Sequence, residues 1–223
     1  MATAKKTIDE YALLRDLILR EQVLPNERLV EMDYAERFGT NRNSIRKAFV
    51  KLEQEGLVVC EPYKGVHVRR ITAAEAVEIF EVRAALEVML VRHAVERATD
   101  ADKKILKGLL QKLRDTLRTK DPIAVGRASR KVREELWRIS GHSTGERLLA
   151  ALNTQLVRIW FRGITMPGRA EAIVEELAVV VEHVCSGSAT KAVAGMRRYH
   201  DAAISNLKHA MTIRRPSSPS ELA

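Results

Sequence analysis

Basic and amide side chains between positions 37 and 51 form the group with the clearest capacity for chemistry in this sequence. Arg42 and Arg46 are four residues apart, so on a helix they lie side by side. An arginine can donate two hydrogen bonds to O6 and N7 of guanine, and an asparagine such as Asn43 can pair with adenine. The stretch has no carboxylate, which favours a polyphosphate partner. Its five cations are Arg37, Arg42, Arg46, Lys47 and Lys51.

The spacing of three small or apolar residues predicts the scaffold that holds this cationic helix. Ala35, Gly39 and Ile45 fit a helix-turn-helix, with helices over 31–38 and 42–56. The alanine lets the helices cross closely, the glycine accepts a positive φ in the turn, and the isoleucine anchors the second helix. A weaker alternative is an ordinary helical hairpin with a solvated basic face.

A β-hairpin is predicted directly after these helices. Residues 57–60 and 66–69 are rich in β-branched side chains, and Pro62 and Gly65 mark the turn between them. With a helix over 7–21 in front, this is the element order of a winged helix, whose wing contacts phosphates or the minor groove of double-stranded DNA. The predicted DNA-contacting residues are Arg37, Asn41, Arg42, Asn43, Arg46, Lys47, Lys64 and Gly65.

The remainder of the chain is predicted to be helical. Short connections between successive helices favour an antiparallel bundle. The fold class is therefore mainly α: an N-terminal winged helix-turn-helix over 7–70, an all-α antiparallel helical bundle over 73–211, and a disordered polar tail over 212–223. The predicted bundle helices are 73–98, 101–119, 122–140, 144–163, 169–186 and 189–211.

Composition and motif searches exclude several function classes. The 223 residues carry a formal net charge of +9, are 46 % hydrophobic and include only two cysteines. No apolar run approaches the ~18 residues of a membrane span, and the start lacks the apolar block of a secretory signal, so we expect a cytoplasmic protein without a membrane partner. There is no phosphate-binding loop, His-Glu-x-x-His motif or nucleophile elbow, and we expect no enzymatic activity.

Residues 24–29, 41–49 and 64–66 resemble the GntR family of bacterial transcription regulators. That family typically shows Pro-Gly before the second helix and Ser-Arg-Thr-Pro-Val-Arg-Glu-Ala-Leu over the recognition helix. The resemblance implies that Arg42 and Arg46 contact DNA. The departures, which bear on the operator sequence, are Asn26 for Gly, Asn41 for Ser, Lys47 for Glu and Phe49 for Leu.

The later segments 81–87, 140–142 and 196–199 are similar to the FCD effector domain of the FadR branch of that family. The similarity implies a small-molecule effector bound within the bundle. We expect a homodimer because one small DNA-binding module is usually too weak to select a site.

In many FCD domains the effector pocket holds a divalent metal on one aspartate and three histidines. The corresponding positions here are Ser129, Arg133, Leu177 and Tyr199, with His200 one residue away from the last. Carboxylate and imidazole ligands are missing from this set, so we expect no metal and no other cofactor.

Arg133 offers a different way to hold an effector. It could bind the carboxylate of a small organic acid directly, with Tyr199 donating a second hydrogen bond. Two alternatives stay open at this point: Arg133 is a surface arginine with a buried stem, and Arg83 forms a structural salt bridge with Glu87 instead of facing the pocket. The predicted effector-binding residues are Arg83, Ser129, Arg133 and Tyr199.

Two further interpretations compete with an effector-responsive regulator. A bundle without its metal site could serve only for dimerisation or protein interaction. An enzyme with an accessory winged helix would need a pocket nucleophile or a metal, which the inspected positions do not offer. Trp137 and Trp160 are expected to be core or interface residues.

Overall fold

The computed structural model describes residues 9–20 and 22–212, together with their side chains except those of 157–162 and 210–212. The chain forms two units that divide between Thr72 and Ala73, except that residues 153–158 group with the first unit. The predicted tail lies outside the described residues, apart from its first residue, which closes the last helix. None of the described helices combines the length and apolar character needed to cross a membrane.

The first unit is a three-helix arrangement with a small sheet. Its apolar core joins the first and third helices through residues such as Leu14, Ile18, Ile45, Phe49 and Leu52, all nearly inaccessible to solvent. The elements are α1 (Glu10–Leu19), β1 (Arg28–Leu29), α2 (Glu31–Phe38), α3 (Arg42–Gln54), β2 (Val58–Glu61) and β3 (Gly65–Val68).

The three strands are antiparallel in the order β1-β3-β2. The predicted hairpin is confirmed as β2 and β3, in which Val58 pairs with Val68. Strand β1 was not predicted; it pairs Leu29 with Val66 and places the chain before α2 against the wing. Gly39 ends α2 at φ +64°, as the turn between two crossing helices requires.

The second unit is the predicted helical bundle. Helix α5 begins with a reciprocal capping box between Thr99 and Asp102. A 3₁₀ turn over Leu117–Thr119 ends the segment that the sequence predicts as one helix to residue 119. The helices are α4 (Ala73–Arg97), α5 (Asp100–Thr116), α6 (Pro122–Ser140), α7 (Ser143–Ile164), α8 (Arg169–Cys185) and α9 (Ala189–Thr212).

Apolar side chains from all six helices of the second unit contribute to the bundle core. Helix α4 packs against α6 and α9, while α8 packs against α5, α6 and α9. Val91, Leu106, Leu136 and Leu177 are fully buried in this core. Trp137 belongs to a smaller cluster with Leu90 and Leu149, which confirms it as a core residue; the side chain of Trp160 lies outside the described residues.

Candidate DNA-binding surface and bundle pocket

Helix α3 presents one apolar and one polar face. Ile45, Phe49 and Leu52 face inward and are buried. The four side chains predicted to read DNA lie on the opposite face and are all exposed: Arg42, Asn43, Arg46 and Lys47. A helix held by its apolar face and exposed along its basic face has the form needed to enter a major groove.

Glu31, at the start of α2, holds the two arginines of this face. Arg46 donates two hydrogen bonds to its carboxylate, from Nε to Oε1 at 2.8 Å and from Nη2 to Oε2 at 2.9 Å. Arg42 Nη2 donates to Oε2 at 3.2 Å. The hydrogen bond from Arg46 chiefly, with that from Arg42, holds the pKa of Glu31 below its usual value. Sequence reasoning missed this partner because it counted carboxylates only between positions 37 and 51.

The ion pairs leave both guanidinium groups accessible. The side chains of Arg42 and Arg46 are 57 % and 60 % exposed. Ion pairs this exposed contribute little stability because water screens them. Glu31 therefore orients the two arginines without sequestering them from a duplex.

Asn41 has a structural role in addition to its predicted DNA contact. It is the N-cap of α3, and its side-chain oxygen accepts a hydrogen bond from Ser44 N at 3.0 Å. This bond satisfies one of the backbone N–H groups left unpaired at the helix start. Arg37, near the end of α2, is exposed, with its guanidinium carbon 6.0 Å from the centre of the Tyr34 ring.

The wing tip carries the remaining predicted contacts. Lys64 is exposed and its Nζ lies 2.7 Å from Glu61 Oε2. Gly65 has φ +86°, and a Cβ there would lie 3.4 Å from Arg28 Nε. Tyr63, which was not predicted as a contact, is fully exposed at φ +64°. The tip therefore presents the exposed ring of Tyr63 and the ammonium group of Lys64, with Arg28 and Glu61 close by.

In the bundle, a buried ionic cluster connects α4, α6 and α9. The Oε1 atom of Glu87 accepts hydrogen bonds from Arg83 Nη2 and Arg133 Nη1, both at 2.9 Å. His200 Nε2 lies 3.3 Å from Glu87 Oε2, without the alignment of a hydrogen bond. All four residues are at most 3 % exposed. The cluster thus places two guanidinium groups on one carboxylate in a dry interior.

The protonation of this cluster follows from its burial and charges. Burial by itself would raise the pKa of Glu87, but the charges of Arg133 and Arg83, and that of His200 when its imidazole is protonated, hold it well below its usual value. Burial lowers the pKa of His200 in spite of the attraction of Glu87. At neutral pH the carboxylate is therefore ionised and the imidazole is neutral.

Tyr199 lies between two guanidinium groups at the edge of this cluster. The guanidinium carbons of Arg133 and Arg169 lie 5.7 and 5.5 Å from the centre of its ring. Arg169 also binds both carboxylate oxygens of Glu176 through Nη1, at 3.0 and 2.9 Å. Cation–π contacts of this kind stabilise a buried guanidinium group without neutralising it.

A cavity opens next to the cluster. Its volume is about 30 Å³, which is enough for a small polar group or a few waters. Its lining includes Phe80, Arg83, Arg133, Arg169, Tyr199, His200 and Asn206.

The structure resolves the alternatives left open for the pocket arginines. Arg133 is buried, so its interpretation as a surface arginine is wrong. The salt bridge between Arg83 and Glu87 is confirmed, and Arg83 lines the cavity as well. Ser129 lies outside the lining; its hydroxyl donates to the carbonyl oxygen of Gly126 at 2.9 Å.

Arg133 already has a carboxylate partner within the chain. The sequence predicted that it would be available to an effector, but its Nη1 is bonded to Glu87. That pairing joins α4 to α6 across 46 positions, a separation that local patterns do not reveal. Among the described residues, no group of three or more His, Cys, Asp and Glu side chains is placed to hold a metal ion.

These two sites define a class of protein: a winged-helix transcription regulator with a helical C-terminal domain. Comparison with known families agrees with this class. The family described as bacterial regulatory proteins, gntR family, matches residues 9–68, and the FCD domain matches residues 78–202. The chain therefore belongs to the GntR family of DNA-binding transcription regulators and carries an FCD domain.

Curated relatives of the chain are also named as transcription regulators. The uncharacterized HTH-type transcriptional regulator YdhC of Bacillus subtilis (strain 168) is 26 % identical over 203 residues, 90 % of each chain. The Nta operon transcriptional regulator of Aminobacter aminovorans is 30 % identical over 137 residues, which are 61 % of this chain and 63 % of that protein.

Solved structures share the fold. The chain is similar to E. coli McbR/YncC, with a TM-score of 0.75 and 19 % identity over 94 % of this chain and 100 % of the other. A GntR regulator from Rhodococcus sp. RHA1 has a TM-score of 0.69 and 21 % identity over 92 % of this chain and 97 % of the other. At these identities the likeness concerns the fold alone.

Proposed function

We propose that this protein binds a DNA operator as a homodimer and that a small organic acid, bound in the bundle pocket, modulates that binding. The observation that supports the effector most directly is the pair of buried arginines, Arg83 and Arg133, beside an internal cavity. As a regulator of bacterial genes, it would act in the cytoplasm, where the chromosome lies.

The operator contact is assigned to two elements of the first unit. Arg42, Asn43, Arg46 and Lys47 of α3 enter the major groove and read base edges, while the wing tip at Lys64 approaches the phosphates. Two copies in a dimer read two half-sites, and the distance between these half-sites follows from the spacing of the two DNA-binding units.

The effector contact is assigned to the arginine cluster of the bundle. A carboxylate is the natural partner of a guanidinium group, since its two oxygens match the parallel N–H donors. Arg133 takes the position at which related domains place a metal ligand. In this proposal, the positive charge that binds the acid comes from arginine side chains instead of a metal ion.

Modulation then follows from a shift between two conformations. An acid that binds one arrangement of α4, α6 and α9 more tightly raises the population of that arrangement. If the two arrangements hold the DNA-binding units of the dimer at different distances, only one of them matches the operator.

A single experiment tests the proposal. DNA fragments that the full-length protein retains are selected from a random pool, and the affinity for the best fragment is measured with and without a panel of small carboxylic acids. We expect a palindromic site and at least one acid that changes the affinity. If every acid leaves operator binding and thermal stability unchanged, the alternative applies, in which the bundle serves only for dimerisation or protein interaction.

A further inference from the structure

Among the side chains that the structure describes, the bundle pocket carries one unbalanced positive charge. Arg169 has Glu176 as its own counter-ion, at 2.9 Å. Arg83 and Arg133, in contrast, share the single carboxylate of Glu87. Of the lining residues that the structure describes, none is a carboxylate. Two cations and one anion are therefore enclosed together, since all three side chains are at most 3 % exposed.

The same groups have hydrogen-bonding capacity that the described part of the chain does not use. Arg83 Nε, Arg133 Nε, Glu87 Oε2 and both ring nitrogens of His200 are buried without a hydrogen-bond partner. Buried polar groups are normally paired. The two guanidinium nitrogens and one imidazole nitrogen can donate, while the carboxylate oxygen and the other imidazole nitrogen can accept. Three residues from three helices thus offer donors beside one cavity, which is an arrangement suited to an anionic ligand.

Electrostatics limits the charge of that ligand. An unpaired charge in a dry interior is costly, so one added negative charge removes the imbalance left by Glu87. A second negative charge would replace an excess cation with an excess anion, at a similar cost. The neutral imidazole of His200 can donate a hydrogen bond to the ligand without adding charge.

Resting on the proposed effector function, we infer that Glu87 sets the charge of the ligand: the bundle pocket binds small monoanions and rejects dianions. A diacid would need two unpaired positive charges, and the carboxylate of Glu87 already neutralises one of them. The ligand is therefore a monocarboxylate or an inorganic monoanion, with its charged group between Arg83, Arg133 and His200.

A charge series of variants tests this rule in the full-length protein. The probes are sodium acetate, sodium nitrate and disodium malonate, titrated by calorimetry at matched ionic strength. The wild type should bind a monoanion at least about tenfold more tightly than malonate. Acetate and nitrate distinguish a carboxylate site from a general monoanion site, and both results agree with the charge rule.

Two variants decide the question. Arg83→Met leaves one cation and one anion, and should weaken monoanion binding by at least about tenfold, although Arg133 and Glu87 are still paired. The double variant Arg83→Met with Glu87→Gln also removes the carboxylate of Glu87. This restores one net positive charge, and monoanion binding should recover. Wild-type affinity in Arg83→Met, or no recovery in the double variant, would overturn the inference.

Glu87→Gln alone gives an additional measurement if it folds. It leaves two buried cations, and malonate should gain at least about tenfold in affinity relative to acetate. An unchanged preference in folded Glu87→Gln would also overturn the rule. If this variant does not fold, the comparison of Arg83→Met with the double variant still tests the charge rule. Neither of those variants buries two unpaired arginines, so both are expected to fold.

Operator binding separates this inference from the proposed function. If monoanions bind by the charge rule but leave operator affinity unchanged, the inference stands and the effector role fails. If the charge series fails while other acids change operator affinity, the effector role stands and the inference fails.

Discussion

Glu31 gives the two arginines of the recognition helix a defined orientation. Its carboxylate accepts three hydrogen bonds, two from Arg46 and one from Arg42, while both guanidinium groups keep more than half of their surface exposed. A duplex offers guanine acceptors and phosphate oxygens as replacements. The carboxylate thus fixes the side chains at little cost to their availability.

Arg46→Ala should weaken operator binding by roughly ten- to a hundredfold, because one bidentate contact with a guanine is lost. The fold should be unaffected, since the side chain is exposed. Fluorescence anisotropy with labelled operator measures the affinity, and circular dichroism checks the fold. Arg20→Ala is the matched control: this arginine, the residue directly after α1, is also exposed and ion-paired, with Asp16, and should change nothing. Equal operator affinity in Arg46→Ala would contradict the assignment.

The buried cluster predicts how stability depends on pH. Burial lowers the pKa of His200 below its usual 6.5, so the unfolded chain takes up a proton at a higher pH than the folded chain does. Stability is therefore lost as pH falls below 6.5. Urea unfolding at a series of pH values should show this loss in the wild type, and less of it in His200→Gln.

Glu87 adds to that loss only at lower pH. Its pKa is lowered from 4.5, so its contribution is complete above 4.5 and declines as pH falls below that value. The two residues can therefore be separated by their pH ranges. His183→Gln, at a partly exposed position on α8, is the control and should keep the wild-type loss between neutral pH and 4.5. If the free energy of unfolding depends on pH in His200→Gln as it does in the wild type, the assignment of His200 as a buried neutral imidazole is wrong.

From the sequence, it was harder to predict which carboxylate pairs with each arginine than to identify the arginines themselves. The position of Arg83 and Glu87 on the apolar stripe of one helix indicated an internal ion pair, because neighbours four residues apart can meet. Nothing in the local pattern connects Glu87 to Arg133 or Arg42 to Glu31. Those pairs form only after separate helices have packed, so they depend on tertiary geometry.

At the scale of elements, the turn of the helix-turn-helix depends on one backbone conformation. Gly39 has φ +64°, and a Cβ at this position would meet nothing within 4 Å. The position therefore requires glycine for its conformation and not for lack of space. A substitution of Gly39 by alanine therefore tests backbone strain alone, without a steric clash.

Gly39→Ala should destabilise the first unit by about 1–2 kcal/mol, the cost of a left-handed conformation for a residue with a Cβ. Gly108→Ala is the control of opposite sign. Gly108 lies in α5 with open space around it and no positive φ, so alanine should stabilise that helix by about 0.5–1 kcal/mol. Thermal unfolding measures both changes. A neutral Gly39→Ala would mean that the turn adapts.

Most helices were predictable because their ends have local chemical causes. The glycine after α6 and the asparagine before α3 are visible in the sequence, and so is the apolar periodicity between such ends. Strand β1 has only two residues and no alternation to detect, and it exists because β3 offers it a partner. The 3₁₀ turn after α5 likewise tightens a helix end whose residues alone favour continuation.

At the scale of the whole molecule, net charge does not locate the DNA-binding surface. Residues 1–72 contain 13 Lys and Arg against 11 Asp and Glu, a net +2, whereas residues 73–223 contain 25 against 18, a net +7. Most of the chain's +9 therefore lies outside the winged helix. DNA affinity must therefore arise from the local arrangement of cations on α3 and the wing, which the proposed dimer would present twice.

Lys64→Ala tests this view through the salt dependence of binding. A phosphate contact contributes equally to every sequence, so the variant should bind the operator and a random duplex more weakly by the same factor. The slope of log affinity against log salt should decrease in magnitude by about one per protomer, because one fewer counter-ion is released. Lys112→Ala, an exposed lysine on α5 in the charge-rich second unit, should leave both affinities and the slope unchanged. A flat salt titration of the wild type, or an equal effect of Lys112→Ala, would show that net charge and not the wing governs binding.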